Sequence, residues 1–140
     1  ISGTQTGHLA STDQSHYSLV DSYDIEANYV HCIGPVQASS EAMTHAAIYE
    51  LDPGIGAIVH AHSREIWQRL IYQLPTTDGA VAYGTPQMAA EFSRLFHETE
   101  FRDEGLAVMA GHDEGLISVG RTMEEAARKM LSLQEPPGSD

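Results

Sequence analysis

Basic residues are scarce in this sequence. Seven Lys plus Arg stand against twenty Asp plus Glu in 140 residues, a formal charge of −13. A surface of that sign repels nucleic acid and anionic membranes, so neither is expected as a partner. Cysteine is scarcer still. The lone Cys32 excludes an internal disulfide and fits a reducing, cytoplasmic setting. Within the strand-like run NYVHCIG it reads as a buried, inert thiol. Apolar runs are short, and none approaches the roughly 20 residues of a membrane span. The opening ISGTQTGHLASTD lacks the apolar stretch of a signal peptide. Repeats and low-complexity blocks are missing too, which leaves one domain over residues 1–134 and a short polar tail, EPPGSD, at 135–140. The chain opens without Met, as though entering a strand midway, and an upstream segment is expected.

What is present is a globular composition, 41% hydrophobic and 19% charged. YSLV (17–20) and ANYVHCI (27–33) read as strands joined by an acidic turn at 21–26. After Gly34-Pro35 a helix is expected from about Ser40 to Glu50, its apolar stripe Met43, Ala46, Ala47 and Leu51. GAIVHAH (56–62) is a β-branched, apolar strand. Ser63 is a fitting N-cap for a helix carrying Ile66, Trp67, Leu70, Ile71 and Leu74, stopped by Pro75. A third helix starts at Thr85-Pro86 with Met88, Phe92, Leu95 and Phe96 at helical spacing. Trp67 and the Met/Phe stripe read as core. LAVMAG (106–111) and GLISVG (115–120) are buried strands. A capping box at Thr122–Glu125 opens a last helix with Met123, Ala126, Ala127 and Met130 inward. Strands and helices alternate, so the class is α/β or α+β, a sheet with helices on its faces.

Chemistry concentrates at His60-Ala61-His62. Residues two apart on a strand share a face, so the two imidazoles converge. In an apolar setting such a pair needs either hydrogen-bond partners or a shared cation. His112 follows the strand LAVMAG directly, where the chain leaves the sheet; it is either a surface-loop histidine or a third ligand. Glu41 sits in the first turn of the expected helix after Ser39-Ser40, a place that favours an acid on electrostatic grounds alone and also suits a proton-transfer role. Ser39 and Ser40 serve as caps or, with the free N–H groups of the helix start, as an anion site. His45, one turn beyond Glu41, reaches the same region or is a buried hydrogen-bonded histidine.

Four strings in this order, GPVQASSEAMTHAAIYE, AIVHAHS, AYGTPQMAAEF and MAGHDEGLISVGRTMEEA, resemble the class II aldolase/adducin family over residues 1–132. The resemblance implies an α/β fold, a three-layer α-β-α sandwich with a central mixed, largely antiparallel sheet. It implies Zn2+ or another divalent ion held by His60, His62 and His112, with Glu41 as the acid/base. Ser39, Ser40 and Thr4 fall where members bind the substrate phosphate. Tyr83, close to the position where family aldolases carry a tyrosine, and His45, one turn after Glu41, are candidates to support the centre. The implied activity is a zinc-dependent lyase of aldolase type, acting on a small sugar phosphate or related hydroxy-ketone through a metal-stabilised enediolate. Dehydration of a sugar phosphate and a non-catalytic adducin-like association module are the alternatives. Family epimerases usually carry aspartate where this chain has Glu41, which favours the aldolase or dehydratase branch. A homotetramer with sites at subunit interfaces is the family's usual assembly. The family's Gly-Asn phosphate segment has no counterpart here, Ala80 stands where aldolases carry a tyrosine, and His112 is followed by Asp113-Glu114 before the glycine.

Overall fold

The computed structural model describes residues 1–135; the tail at 136–140 lies outside the described residues. Its elements run β1 (Leu19–Asp24), β2 (Tyr29–Ile33), α1 (Ala42–Leu51), β3 (Ala57–His62), α2 (Arg64–Leu70), α3 (Pro86–Glu98), α4 (Phe101–Glu104), β4 (Leu106–Val108), β5 (Gly115–Gly120) and α5 (Met123–Ser132). The fold is mixed α/β with antiparallel sheets. The strands form two of them: the ribbon β1-β2, and a three-stranded sheet in the order β3-β5-β4. A parallel bridge joins Thr76 to Val108.

The register of the larger sheet explains its layering. Ile58 pairs with Val119 and His60 with Ile117, while Val59 pairs with Ser118; partners directly opposite share a face. One face therefore carries Ile58, Val119 and Ile117. These pack into a core with Ile48 of α1 and with Met88, Phe92, Leu95 and Phe96 of α3. The other face is covered by α5, where the Ser118 hydroxyl donates to the carbonyl of Ala126 at 2.7 Å. Helices thus cover both faces, which is the sandwich expected. Burying Phe92 alone, 0% exposed, removes enough apolar surface to contribute about 2–3 kcal/mol.

Local chemistry sets the element ends. Thr85 caps α3 by accepting from the Met88 N–H, and Pro86 occupies its first turn. Thr122 caps α5 through the Glu125 N–H; the reciprocal half of the expected box instead runs from the Arg121 N–H to Glu125 Oε2 at 2.8 Å. No helix among the described residues is long and apolar enough to cross a membrane.

Several expectations need correction. The acidic segment after Val20 is strand, not turn: Ser22, Tyr23 and Asp24 pair with His31, Val30 and Tyr29 past a bulge at Asp21. Asp21 Oδ2 meets His31 Nδ1 at 3.1 Å, and the turn falls at Ile25–Asn28, with Asn28 at φ 51°. The helix after Ser63 ends at Leu70, well short of Pro75. Tyr72 takes a left-handed φ of 62° and its N–H goes to the Thr76 hydroxyl at 2.9 Å, which turns the chain toward Val108. Trp67 is half-buried, not core, and its Nε1 donates to the Met109 carbonyl at 2.9 Å. Met123, expected inward, is 55% exposed and lines a cavity. In α1 the most buried side chain is Ile48, outside the expected stripe. Cys32 is half-buried and free.

Candidate metal centre

His60 and His62 stand at the end of the core face of β3, where Ile58 gives way to polar residues. Each is aimed by the same device. His60 Nδ1 donates to the Leu116 carbonyl at 3.0 Å and His62 Nδ1 to the Asp113 carbonyl at 3.2 Å. A carbonyl only accepts, so each Nδ1 carries the hydrogen and each neutral ring presents a lone pair at Nε2. Those two Nε2 atoms face one another at 2.9 Å. Two lone pairs at that distance repel unless a proton or a cation lies between them. Protonation is disfavoured, since burial, then the neighbouring His62 and His112, push His60 down to about 3. A divalent cation between them would remove that repulsion, and this donor set suits one.

His112 completes the group. It lies in the turn between β4 and β5, and the three histidines offer ligand nitrogens all within 4.8 Å of one another. Burial, then His62, lowers its pKa as well, with Asp113 opposing. Neutral imidazoles are what a metal requires. The residues present fit such an ion on these grounds.

Glu41 faces the cluster, its Oε1 lying 3.8 Å from His112 Nε2. Its place differs from the one expected. The helix begins at Ala42, so Glu41 is the N-cap residue, and its side chain makes no capping bond. Helix-start stabilisation by a hydrogen bond is therefore not its role. The side chain is 3% exposed, and neither carboxylate oxygen has a hydrogen-bond partner among the described residues. Burial raises its pKa, while the Thr44 hydroxyl, close by but not aligned as a hydrogen bond, opposes this weakly. An unpartnered buried carboxylate costs stability. Such a cost is typical of a functional group held ready for a ligand.

A cavity of about 1080 Å³ opens over the cluster. Thr4, Ser39, Ser40, Tyr83 and His45 line it together with Glu41 and the three histidines, so the candidate residues share one space. Ser39 Oγ accepts from the Glu41 N–H at 3.2 Å, which fixes the approach to α1. His45 has its Nε2 enclosed without a partner among the described residues, and burial pushes it down to about 4. Tyr83 lies against the His112 ring. Glu114 pairs with Arg64 at 2.8 Å. Sequence reasoning missed the Leu116 and Asp113 carbonyls that orient the ligands; backbone acceptors leave no signature in residue identity. It also passed over the buried Thr44, which reads as one more polar residue of a helix.

Fold and site together define an α/β domain with a three-histidine, one-carboxylate centre. The chain belongs to the class II aldolase and adducin family, matching the family's N-terminal domain over residues 2–136. Its fold is similar to that of YgbL from Escherichia coli, a candidate aldolase/epimerase/decarboxylase. The TM-score is 0.65 at 19% identity, over 94% of this chain and 67% of that one.

Proposed function

We propose that this chain carries a divalent-metal lyase site of aldolase type, with a small hydroxy-carbonyl compound, a sugar phosphate in particular, as substrate. The observation that supports it most is the opposition of two hydrogen-locked imidazoles, lone pair to lone pair, beside a buried carboxylate with no partner. His60, His62 and His112 hold the ion, zinc being the first choice for a nitrogen-rich set. When bound, such an ion supplies Lewis acidity toward a substrate carbonyl and its neighbouring hydroxyl.

The protein's own groups do the rest. Glu41 is the acid/base. Its raised pKa keeps a proton available nearer neutrality than an ordinary carboxyl would. In aldol cleavage the Glu41 carboxylate takes the β-hydroxyl proton, the C–C bond breaks as that oxygen becomes the aldehyde carbonyl, and the electron pair moves toward the ketone oxygen. Glu41 returns a proton to the carbon left behind. Ser39, Ser40 and Thr4 supply hydroxyls for the phosphate, helped by the start of α1, where partial positive charge favours an anion. Burial of the catalytic wall excludes water and strengthens each of these polar interactions.

The test is a Glu41→Gln variant assayed against ketose phosphates and their unphosphorylated analogues. Zinc content stays near one ion per chain and turnover falls by roughly 10²–10⁴-fold. A variant that keeps its metal and cleaves at the wild-type rate removes Glu41 from the mechanism. Products distinguish bond cleavage, which releases an aldehyde, from loss of water.

A further inference from the structure

The three histidines are not held alike. His60 and His62 are each oriented by an Nδ1–H bond to a backbone carbonyl. His112 has no such bond: neither of its ring nitrogens has a hydrogen-bond partner among the described residues. Outer-shell bonds of this kind fix the ring orientation of metal-binding histidines, so the third imidazole needs another restraint. It has an aromatic one. The Tyr83 ring lies against His112 with centroids 4.1 Å apart and planes inclined by 38°. The other two histidine rings are farther off, His62 edge-on at 4.6 Å and His60 stacked at 5.2 Å and 22°, so Tyr83 is the nearest ring to His112.

The chain around Tyr83 is built to bring that ring in. Its loop is joined to the segment bearing His112. The Val108 N–H donates to the Pro75 carbonyl at 2.8 Å, and the Thr77 N–H to the Val108 carbonyl at 3.0 Å. The Ala110 N–H bonds the hydroxyl of Thr77 at 3.1 Å; that residue is 1% exposed. Gly111, immediately before His112, lets the two segments touch: a Cβ there would stand 1.7 Å from the Val81 carbonyl oxygen. Beyond Tyr83, Gly84 turns the chain at φ 68°, and Thr85 ties it back through a 2.6 Å bond to the Ala82 carbonyl. From α3, Glu91 accepts the Asp78 N–H at 2.7 Å and Arg94 donates to the Thr76 carbonyl at 3.2 Å. Tyr83 itself remains 46% exposed, so its ring adds little to the core. What it touches is the ligand.

We propose that Tyr83 is a positioning residue of the metal centre. Its ring holds the His112 imidazole in ligand orientation, in place of the hydrogen bond that aims the other two, and Gly111 is the close-approach residue that admits it. The role belongs to the ring and not to the hydroxyl. This rests on the reading of the three histidines as metal ligands.

Zinc affinity of the full chain, measured by competition with a chromophoric chelator, tests it. Tyr83→Ala weakens binding about 10–100-fold, the range for loss of an outer-shell partner, and Tyr83→Phe stays within about threefold of the wild type, the outer-shell contact being kept. Cobalt substituted for zinc reports the same distinction: the visible ligand-field bands shift in Tyr83→Ala and not in Tyr83→Phe. The metal-free proteins melt together, because a half-exposed ring carries little fold stability. Tyr83→Ala binding zinc as the wild type does, with unchanged cobalt bands, overturns the clamp and leaves the metal centre standing. Tyr83→Phe losing about 10-fold or more relative to the wild type overturns it too, by assigning the effect to the hydroxyl, and that reading holds even if Tyr83→Ala fails to fold. A wild type that takes up no zinc overturns the metal centre and the clamp together.

Discussion

The candidate site is made of two halves that reach the same place by different means. One half is strand: His60 and His62 sit on β3, six residues paired without interruption to β5, and the pleat alone puts them side by side. The other half is loop and helix end. His112 stands in a short turn where Glu114 takes φ 68° and where a Cβ on Gly115 would come within 2.9 Å of the His112 ring. Glu41 arrives from the cap of α1. Strand ligands are positioned by periodicity and a ladder of backbone bonds. Loop ligands are positioned by glycines, unusual φ angles and contacts with distant segments. A rigid half therefore presents a pair of nitrogens, and a more elaborately supported half brings the third ligand and the proton carrier to it.

The strongest way to probe the contrast is to remove a ligand from the rigid half. His60→Ala should weaken zinc binding on the order of 10³-fold, as one of only three protein ligands is lost; chelator competition measures it. His112→Ala should cost a similar factor. A much smaller loss at His112 would mean that the loop half is not part of the centre.

Next in size is damage to the floor beneath both halves. Phe92 is 0% exposed and packs with Ile58, Ile117 and Met109, which lie under the strand pair and beside the His112 turn. Phe92→Ala should cost about 3–5 kcal/mol of stability in chemical denaturation. A cost below about 1 kcal/mol would show that the core does not hold the two halves together.

Acid offers a subtler comparison in the metal-free protein. His60 is depressed to about 3 and His45 to about 4, from 6.5, chiefly by burial. The unfolded chain takes up these protons near pH 6.5 and the folded chain refuses them until much lower. Their contribution to stability is therefore complete above pH 6.5 and is lost as the pH falls from there toward 4, with a slope of up to about 1.4 kcal/mol per pH unit for each group. Glu41 works the other way, because its folded pKa is raised: its carboxylate destabilises the fold at neutral pH, and that penalty is relieved as the pH falls toward 4.5. With three histidines shifted down, His112 included, against one carboxyl shifted up, the urea midpoint in chelator should be lower at pH 5 than at pH 7.5. An unchanged midpoint would argue against the burial of both rings.

The smallest effect belongs to the surface. Arg64 pairs with Glu114 at 2.8 Å, but its side chain is 76% exposed. Arg64→Ala should cost less than about 1 kcal/mol and leave zinc affinity unchanged. A measurable loss of metal would mean that this pair, and not the clamp on the other side of the turn, braces His112.

Some of this was readable from the residues. GAIVHAH announces a strand by its β-branched run, and period two then puts both histidines on one face, whatever the rest of the chain does. Thr85-Pro86 and Ser63 likewise mark helix starts by local chemistry that needs no partner. Other features were not readable in this way. The acidic stretch Asp21–Asp24 stays in a strand because an exposed ribbon tolerates charge and His31 answers Asp21. The helix after Ser63 stops at Leu70, before its proline, because the chain must turn to meet Val108. Trp67 looked like core and is only half-buried, since only tertiary packing decides how far an apolar side chain is covered.

The sequence by itself determined the family, the strand pair of histidines and the identities of the other candidates, because each rests on residue type or short-range spacing. Tertiary structure alone decided that the lone pairs of His60 and His62 oppose one another. It also decided that Glu41 is buried without a partner, and that Tyr83 lies on His112. Those facts depend on backbone carbonyls, on burial and on contacts across the chain, and none of these is encoded at a single position.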